Sequence, residues 1–303
     1  MDETGSPHDP HWPRAGHWLR TADVSHSGGA LALLGVPAHE ASLSASGAHL
    51  TPAAVREALL RYSLYAASSD TDLTSVEVTD LGDVSDPDGP GGEDRIARAA
   101  ADAAARFTCI LGIGGDNSVT YPLMLGVSGG DLSGWGLVTL DAHHDVRDGR
   151  SNGSPVRLLV EAGLPGEHIV QVGIADFCNS PFYAARARSL GITTVPRSAL
   201  RTHTAQQVVT DALEIAGRGG RPVYVDLDVD VCDRAYAPGC PASAPGGISA
   251  DELRHLARLL ACDSRVRAID ITEVDAVADS EDGRTVRLAA LLVLEAAAGL
   301  ATR

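Results

Sequence analysis

From about residue 28 onward, short apolar runs rich in β-branched residues alternate with Ala-, Leu- and Arg-rich stretches of helical pattern. The runs are Ala30–Val36, Ser75–Leu81, Phe107–Ile113, Trp135–Leu140, Ile169–Ile174, Thr193–Pro196, Pro222–Asp228 and Val266–Thr272. Between them lie helical patterns at Pro52–Tyr62, Asp94–Arg106, Pro181–Leu190, Ala205–Gly217, Ala250–Ala261 and Thr285–Ala301. Strands that are apolar throughout must be covered on both faces, and strands separated by helices are joined by crossovers. The pattern therefore predicts an α/β fold with a mostly parallel sheet between two helical layers. Thr51 reads as the N-cap of the first helix, with Pro52 at its first position.

A length of 303 residues exceeds the usual single domain, yet no internal repeat and no linker interrupts residues 28–303. One domain preceded by an arm, residues 1–27, is the expected organisation. The arm carries His8, His11, His17, Trp12 and Trp18, and is expected to pack its tryptophans on the body rather than gather its histidines around a metal. Ser85–Glu93 is rich in Gly, Pro and Asp and reads as an exposed loop. Hydrophobic residues make up 44% of the chain and aromatics only 4%, so the core must be aliphatic. The formal charge of −16 disfavours nucleic acid or an anionic membrane as a partner. The longest apolar runs, such as Ala289–Glu295, fall short of a membrane span. Five cysteines, odd in number and without CxxC spacing, argue against a disulfide framework or a thiolate zinc site, and point to a soluble cytoplasmic protein.

Function in a parallel sheet concentrates at the C-terminal strand ends, and here those ends are acidic. Phe107–Ile113 runs into Gly114-Gly115-Asp116-Asn117-Ser118, and Trp135–Leu140 into Asp141-Ala142-His143-His144-Asp145. Pro222–Val225 runs into Asp226-Leu227-Asp228-Val229-Asp230, with Asp233 beyond, and Val266–Thr272 runs into Glu273. A single Asp at a strand end is usually a cap or a turn former. Six or more carboxylates and two imidazoles on four neighbouring ends are costly unless a cation neutralises them. Alternate residues such as Asp141, His143 and Asp145, or Asp228 and Asp230, share a direction in extended backbone, so each set can face one cavity. Carboxylate and imidazole donors without thiolate suit Mn²⁺.

The ordered segments Gly114–Ser118 (GGDNS), Asp141–Asp145 (DAHHD), Ser151–Pro155 (SNGSP), Asp226–Gly239 (DLDVDVCDRAYAPG) and Glu273-Val274 resemble the signatures of the ureohydrolase superfamily, the arginase, agmatinase and formimidoylglutamase group. The resemblance covers about residues 30–300. It implies an arginase-like three-layer αβα fold with an eight-stranded parallel sheet, two Mn²⁺ per subunit, hydrolysis of a linear C–N amidine or guanidine bond, and a homo-oligomer. Carried over by position, Asp141 and Asp228 bridge the metals, Asn117 and Asp145 complete the first metal's set, and His143 and Asp230 belong to the second. Asp145, Glu273 and His143 form the catalytic group, with Glu273 facing the amidine.

Two positions depart from the pattern. Asn117 stands where the family's GGDHS motif has a metal-binding His, which predicts one weak metal. Asn152 stands where members that cleave guanidines often carry a His, which argues against an ordinary arginase or agmatinase. Formimidoylglutamases lack that His, and Val172–Ser180 followed by Tyr183 also looks like that branch. The implied reaction is N-formimidoyl-L-glutamate plus water giving L-glutamate and formamide, a step of histidine degradation. Its substrate carries two carboxylates, for which Arg147, Arg150, Arg157 and Asn152 are the candidate contacts. A guanidino-acid hydrolase and a non-catalytic homologue that has lost metal through Asn117 are the alternatives. Persistence of every carboxylate ligand and of Glu273 weighs against the second.

Overall fold

The computed structural model describes residues 9–21 and 28–303. In chain order the strands are β1 (Arg20–Thr21), β2 (Gly29–Val36), β3 (Tyr65–Ala66), β4 (Thr71–Asp72), β5 (Val78–Asp83), β6 (Phe107–Gly114), β7 (Gly136–Leu140), β8 (Ile169–Ile174), β9 (Thr193–Pro196), β10 (Val223–Asp228) and β11 (Val266–Thr272). The helices are α1 (Thr51–Leu59), α2 (Gly92–Ala104), α3 (Thr120–Val127), α4 (Pro155–Glu161), α5 (Pro181–Ser189), α6 (Ala205–Ala216), α7 (Ala250–Ala261) and α8 (Arg284–Leu300). β3 and β4 form a small antiparallel hairpin, and all other strands join one parallel sheet in the order β1-β5-β2-β6-β11-β10-β7-β8-β9.

The sheet has nine strands where eight were expected. The additional strand lies in the arm, where Arg20 and Thr21 pair with Thr79 and Asp80 of β5. Two exposed residues carry no apolar periodicity, so nothing in their sequence announces a strand. Trp18 anchors the same segment by donating its indole N–H to the Val76 carbonyl at 2.8 Å. Trp12 stays half exposed beneath the Arg14 guanidinium. His8 lies outside the described residues, and His11 and His17 join no metal-capable group among those described.

Two aliphatic cores cover the two faces. α1, α6, α7 and α8 pack on one face through Val55, Leu59, Val208, Leu213, Leu256 and Leu292. α2, α3, α4 and α5 pack on the other through Ile96, Leu123, Met124, Leu159 and Ala187. Each fully buried Leu on these faces contributes roughly 1.5–3 kcal/mol by leaving water. The N-cap expectation at Thr51 is corrected: Thr51 is already helical, Leu50 occupies the cap, and the Thr51 hydroxyl donates to the Val274 carbonyl at 2.5 Å. That bond fixes the chain just beyond β11, where a strand end enters the candidate site.

Candidate metal centre

β6, β11, β10 and β7 are adjacent in the sheet, so their C-terminal ends open on one patch of the molecule. The register sets Leu227 of β10 beside Leu140 of β7, and Asp228 beside Thr272 of β11. Asp141 and Glu273, the residues that follow β7 and β11, therefore flank Asp228. Gly115 is required by close packing, since a Cβ there would collide with the Ala38 carbonyl. Its own carbonyl accepts the Glu273 N–H at 2.9 Å. Asp145 and Glu273 both sit at positive φ, 50° and 62°, a region disfavoured for side-chain-bearing residues and frequent at functional sites.

Asp141, His143 and Asp230 present donor atoms that all lie within 4.8 Å of one another, and so do Asp141, Asp145 and Asp228. Asp141 is common to both sets. All these residues are buried except His143, which is partly buried. His143 Nδ1 lies 2.6 Å from Asp230 Oδ2, the Ala142 N–H donates to Asp230 Oδ1 at 3.0 Å, and the His143 N–H donates to Asp141 Oδ1 at 2.6 Å. Asp141 Oδ2 has no partner although it is enclosed by protein. An orphaned buried carboxylate oxygen at the junction of two anionic donor sets is what a pair of divalent cations would satisfy. The residues present therefore fit a binuclear centre.

Without cations the carboxylates repel one another. Burial, then Asp145 and Asp230, push Asp141 well above the usual carboxylate range. Burial also raises Asp145, to about 7, against the opposing pull of His143. Asp228 rises through burial and through Asp230 and Asp141. Burial alone would lower His143, but Asp230 and Asp141 outweigh it and hold the imidazole protonated up to about 12. Asp230 is lowered in spite of its burial because His143 faces it.

Asn117 reaches the site in a different role from the one expected of a ligand. Its Nδ2 donates to Asp145 Oδ2 at 2.6 Å, and its Oδ1, the atom able to bind a metal, accepts from Thr120 Oγ1 at 2.7 Å. The hydroxyls of Thr120 and Thr272 were missed in the sequence because nothing in their spacing marks them as facing Asn117. Asp226 is among the acidic strand ends read from sequence, but its partner Asp270 is not. Asp226 of β10 and Asp270 of β11 are register partners directly beneath the centre, both fully buried. Tyr224 donates to Asp270 Oδ2 at 2.8 Å, and the Thr120 hydroxyl, with one proton to give, lies 2.8 Å from the same oxygen and 2.7 Å from Asn117 Oδ1.

A cavity of about 250 Å³ opens over the donors, lined by His143, Asp145, Asp228, Asp230, Glu273, Asn152 and Arg147, with Ser42–Ser44, Cys178–Ser180 and Tyr183 on its walls. Arg147 is the sole arginine among the described residues that line it. Arg150 and Arg157 are not brought into it, which corrects their candidacy as substrate contacts. Arg150 pairs with Glu93 and stacks over the Tyr121 ring at 5.5 Å. Arg157 donates to the Arg147 carbonyl at 2.6 Å, to the Gly149 carbonyl, and to Glu161 at 2.6 Å. Their guanidinium groups shape the loop that carries Arg147. His144 borders the cavity, but its Nδ1 is engaged 2.7 Å from Gln171 Oε1. Asn179 pins the same loop by accepting the His144 N–H and donating to the Ala142 carbonyl.

Comparison with known proteins agrees with this geometry. The Arginase family model matches residues 30–299. The formimidoylglutamase of Halalkalibacterium halodurans is 34% identical over 305 residues, 97% of this chain and 94% of the relative. The crystal structure of formimidoylglutamase from Bacillus subtilis superposes with a TM-score of 0.91 at 30% identity, covering 99% of this chain and 95% of that one. The Trypanosoma cruzi formiminoglutamase structure with Mn²⁺ shares the fold, with a TM-score of 0.87 at 24% identity, covering 96% of this chain and 99% of that one. The chain belongs to the arginase family.

Proposed function

We propose that this protein hydrolyses N-formimidoyl-L-glutamate to L-glutamate and formamide, as a step of histidine breakdown in the cytoplasm, with residues 28–303 as the catalytic domain. The observation that carries the reading is the joining, in one cavity, of two acidic donor sets, the buried Glu273 and Arg147, the one arginine among the described lining residues. The resemblance to formimidoylglutamases over nearly the whole chain supports it. Five unpaired cysteines suit a reducing compartment, and no helix among the described residues is long and apolar enough to cross a membrane. By family likeness the working form is a homo-oligomer.

Asp141, His143 and Asp230 would hold one cation, and Asp141, Asp145 and Asp228 the other. Oxygen-rich donors with one imidazole suit Mn²⁺, the ion named for the T. cruzi protein. Bound divalent cations supply Lewis acidity that makes water ionisable near neutral pH. The side chains do the rest. Burial raises Glu273 to about 8, so its ionised form is stabilised when a cationic amidinium arrives beside it. That contact fixes the amidine carbon for attack. Asp145, held beside the cavity by the Asn117 amide, takes the proton of the attacking water. It passes that proton to the glutamate nitrogen as the C–N bond breaks, and the remaining hydroxyl proton follows by the same carboxylate to the departing amine, so the products are formamide and glutamate with its amino group protonated. Arg147 binds a substrate carboxylate at the cavity wall.

Product analysis is the decisive experiment. With Mn²⁺ added, formamide and glutamate released from N-formimidoyl-L-glutamate support the proposal. Urea released from guanidino acids, with no formamide from the first substrate, would assign the chain to guanidine cleavage.

A further inference from the structure

Asn152 belongs to the loop before α4, yet its side chain joins two other parts of the cavity. Its Nδ2 donates to Glu273 Oε1 at 2.9 Å, and its Oδ1 accepts the Leu43 N–H at 3.1 Å. The Asn152 N–H also donates to the Ala41 carbonyl at 3.0 Å. Each half of the amide thus has a partner inside the protein, while Asn152 still lines the cavity where substrate contact was expected of it. Glu273 Oε1 accepts a second bond, from the Asn117 N–H at 2.8 Å. With Oε1 doubly held, the carboxylate plane is set by the protein and Oε2 is left for the cavity. Across the same amide stands the segment Ser42–Ser44, which forms one wall. Leu43 is largely exposed, and the Ser42 hydroxyl is enclosed without a hydrogen-bond partner although Ser42 lines the cavity.

We infer that Asn152 is a positioning residue that makes the Ser42–Ser44 wall and the Glu273 carboxylate one mechanical unit. A substrate pressing on the wall thereby acts on the orientation of the group that receives its amidine. A neutral primary amide suits this, because it offers a donor to a carboxylate and an acceptor to an N–H from two separate atoms of one short side chain. The inference rests on the formimidoylglutamate reading for its kinetic part and is independent of it for its structural part.

Two substitutions divide the two halves of the amide. Asn152→Asp keeps an acceptor for Leu43 and loses the donor to Glu273, whereas Asn152→Ala loses both. Amide hydrogen exchange in the Mn²⁺-loaded protein without substrate reads the wall directly. The Leu43 amide should exchange at least tenfold faster in Asn152→Ala and at the wild-type rate in Asn152→Asp. With N-formimidoyl-L-glutamate, kcat should fall tenfold or more in both variants, and KM should rise further only in Asn152→Ala. Unchanged Leu43 exchange in Asn152→Ala, or wild-type kcat in Asn152→Asp, overturns the inference. If Asn152→Ala does not fold, the Asn152→Asp arm alone still decides: Leu43 protection with lost kcat supports it, and any other pair of results refutes it. Should the wild type release no formamide, the exchange measurement still tests the linkage, so the two failures are told apart.

Discussion

Asn117 holds Asp145 through its amide nitrogen at 2.6 Å while its oxygen is committed to Thr120. The position occupied by a metal-binding imidazole in the wider family is here a hydrogen-bond donor to a carboxylate. This makes the two cation positions unequal. One set includes an imidazole, and the other relies on Asp141, Asp145 and Asp228 alone.

Titration of metal-free protein with Mn²⁺ should accordingly resolve a tight and a weak site. Asn117→His supplies a basic nitrogen with good affinity for Mn²⁺, and should tighten the weak site by roughly tenfold, about 1.4 kcal/mol. Two equal sites in the wild type, unchanged in the variant, would count against the inequality.

Acid should weaken Mn²⁺ binding and yet protect the metal-free fold. Asp145 and Glu273 are raised to about 7 and 8 by burial, and His143 to about 12 by Asp230 and Asp141 once burial is overcome. Each therefore binds more protons in the folded chain than in the unfolded one, so folding stability must fall as pH rises. For the carboxyls the loss spans roughly pH 4 to 8, and for His143 it begins near 6.5 and continues to about 12. Calorimetry in chelator should show the melting temperature falling from pH 5 to pH 8, with Mn²⁺ raising it most at the alkaline end. A metal-free melting temperature that climbs over that interval would contradict the assignment.

Arg147→Ala should raise KM for N-formimidoyl-L-glutamate about thirtyfold, the effect of roughly 2 kcal/mol in charged hydrogen bonds, with kcat little changed. Arg150→Ala serves as the control, because its guanidinium is engaged with Glu93 and Tyr121 outside the cavity. Equal effects in the two variants would show that loop shape, not carboxylate binding, is what Arg147 supplies.

Tyr224→Phe removes the phenol that donates to a fully buried carboxylate and should destabilise the protein by roughly 1–3 kcal/mol. Urea unfolding with unchanged slope is the appropriate measurement. A neutral result would mean that the Thr120 hydroxyl turns from Asn117 to Asp270 and replaces the lost bond.

Legibility in the sequence followed physical circumstance. β8, β9, β11 and α7 have the bounds read from pattern alone, because the three strands are short β-branched runs set off from the helical patterns beside them and α7 carries a clear stripe opposite its charges. α3 and α4 were passed over. α3 is apolar on nearly every side and only eight residues long, and α4 has seven, so neither shows a helical stripe. At the site, the acidic strand ends were readable because their spacing is conferred by the strands themselves. Arg147, Arg150 and Arg157 could not be told apart, since their fates depend on Glu93, Tyr121 and Glu161, and not on nearness to the catalytic loop.

The donors that would cradle metal come from residues 141–145 and 228–230, carried on β7 and β10, which pair only when the intervening segment has crossed over. No short stretch of the chain holds a complete donor set, so a cation can find its place only after the central strands have met. Long-range parallel pairing of this kind is slow to form. A cation would therefore meet a complete donor set only once β7 and β10 have paired, and until then protons on Asp141, Asp145 and Asp228 would ease the crowding of the acidic interior.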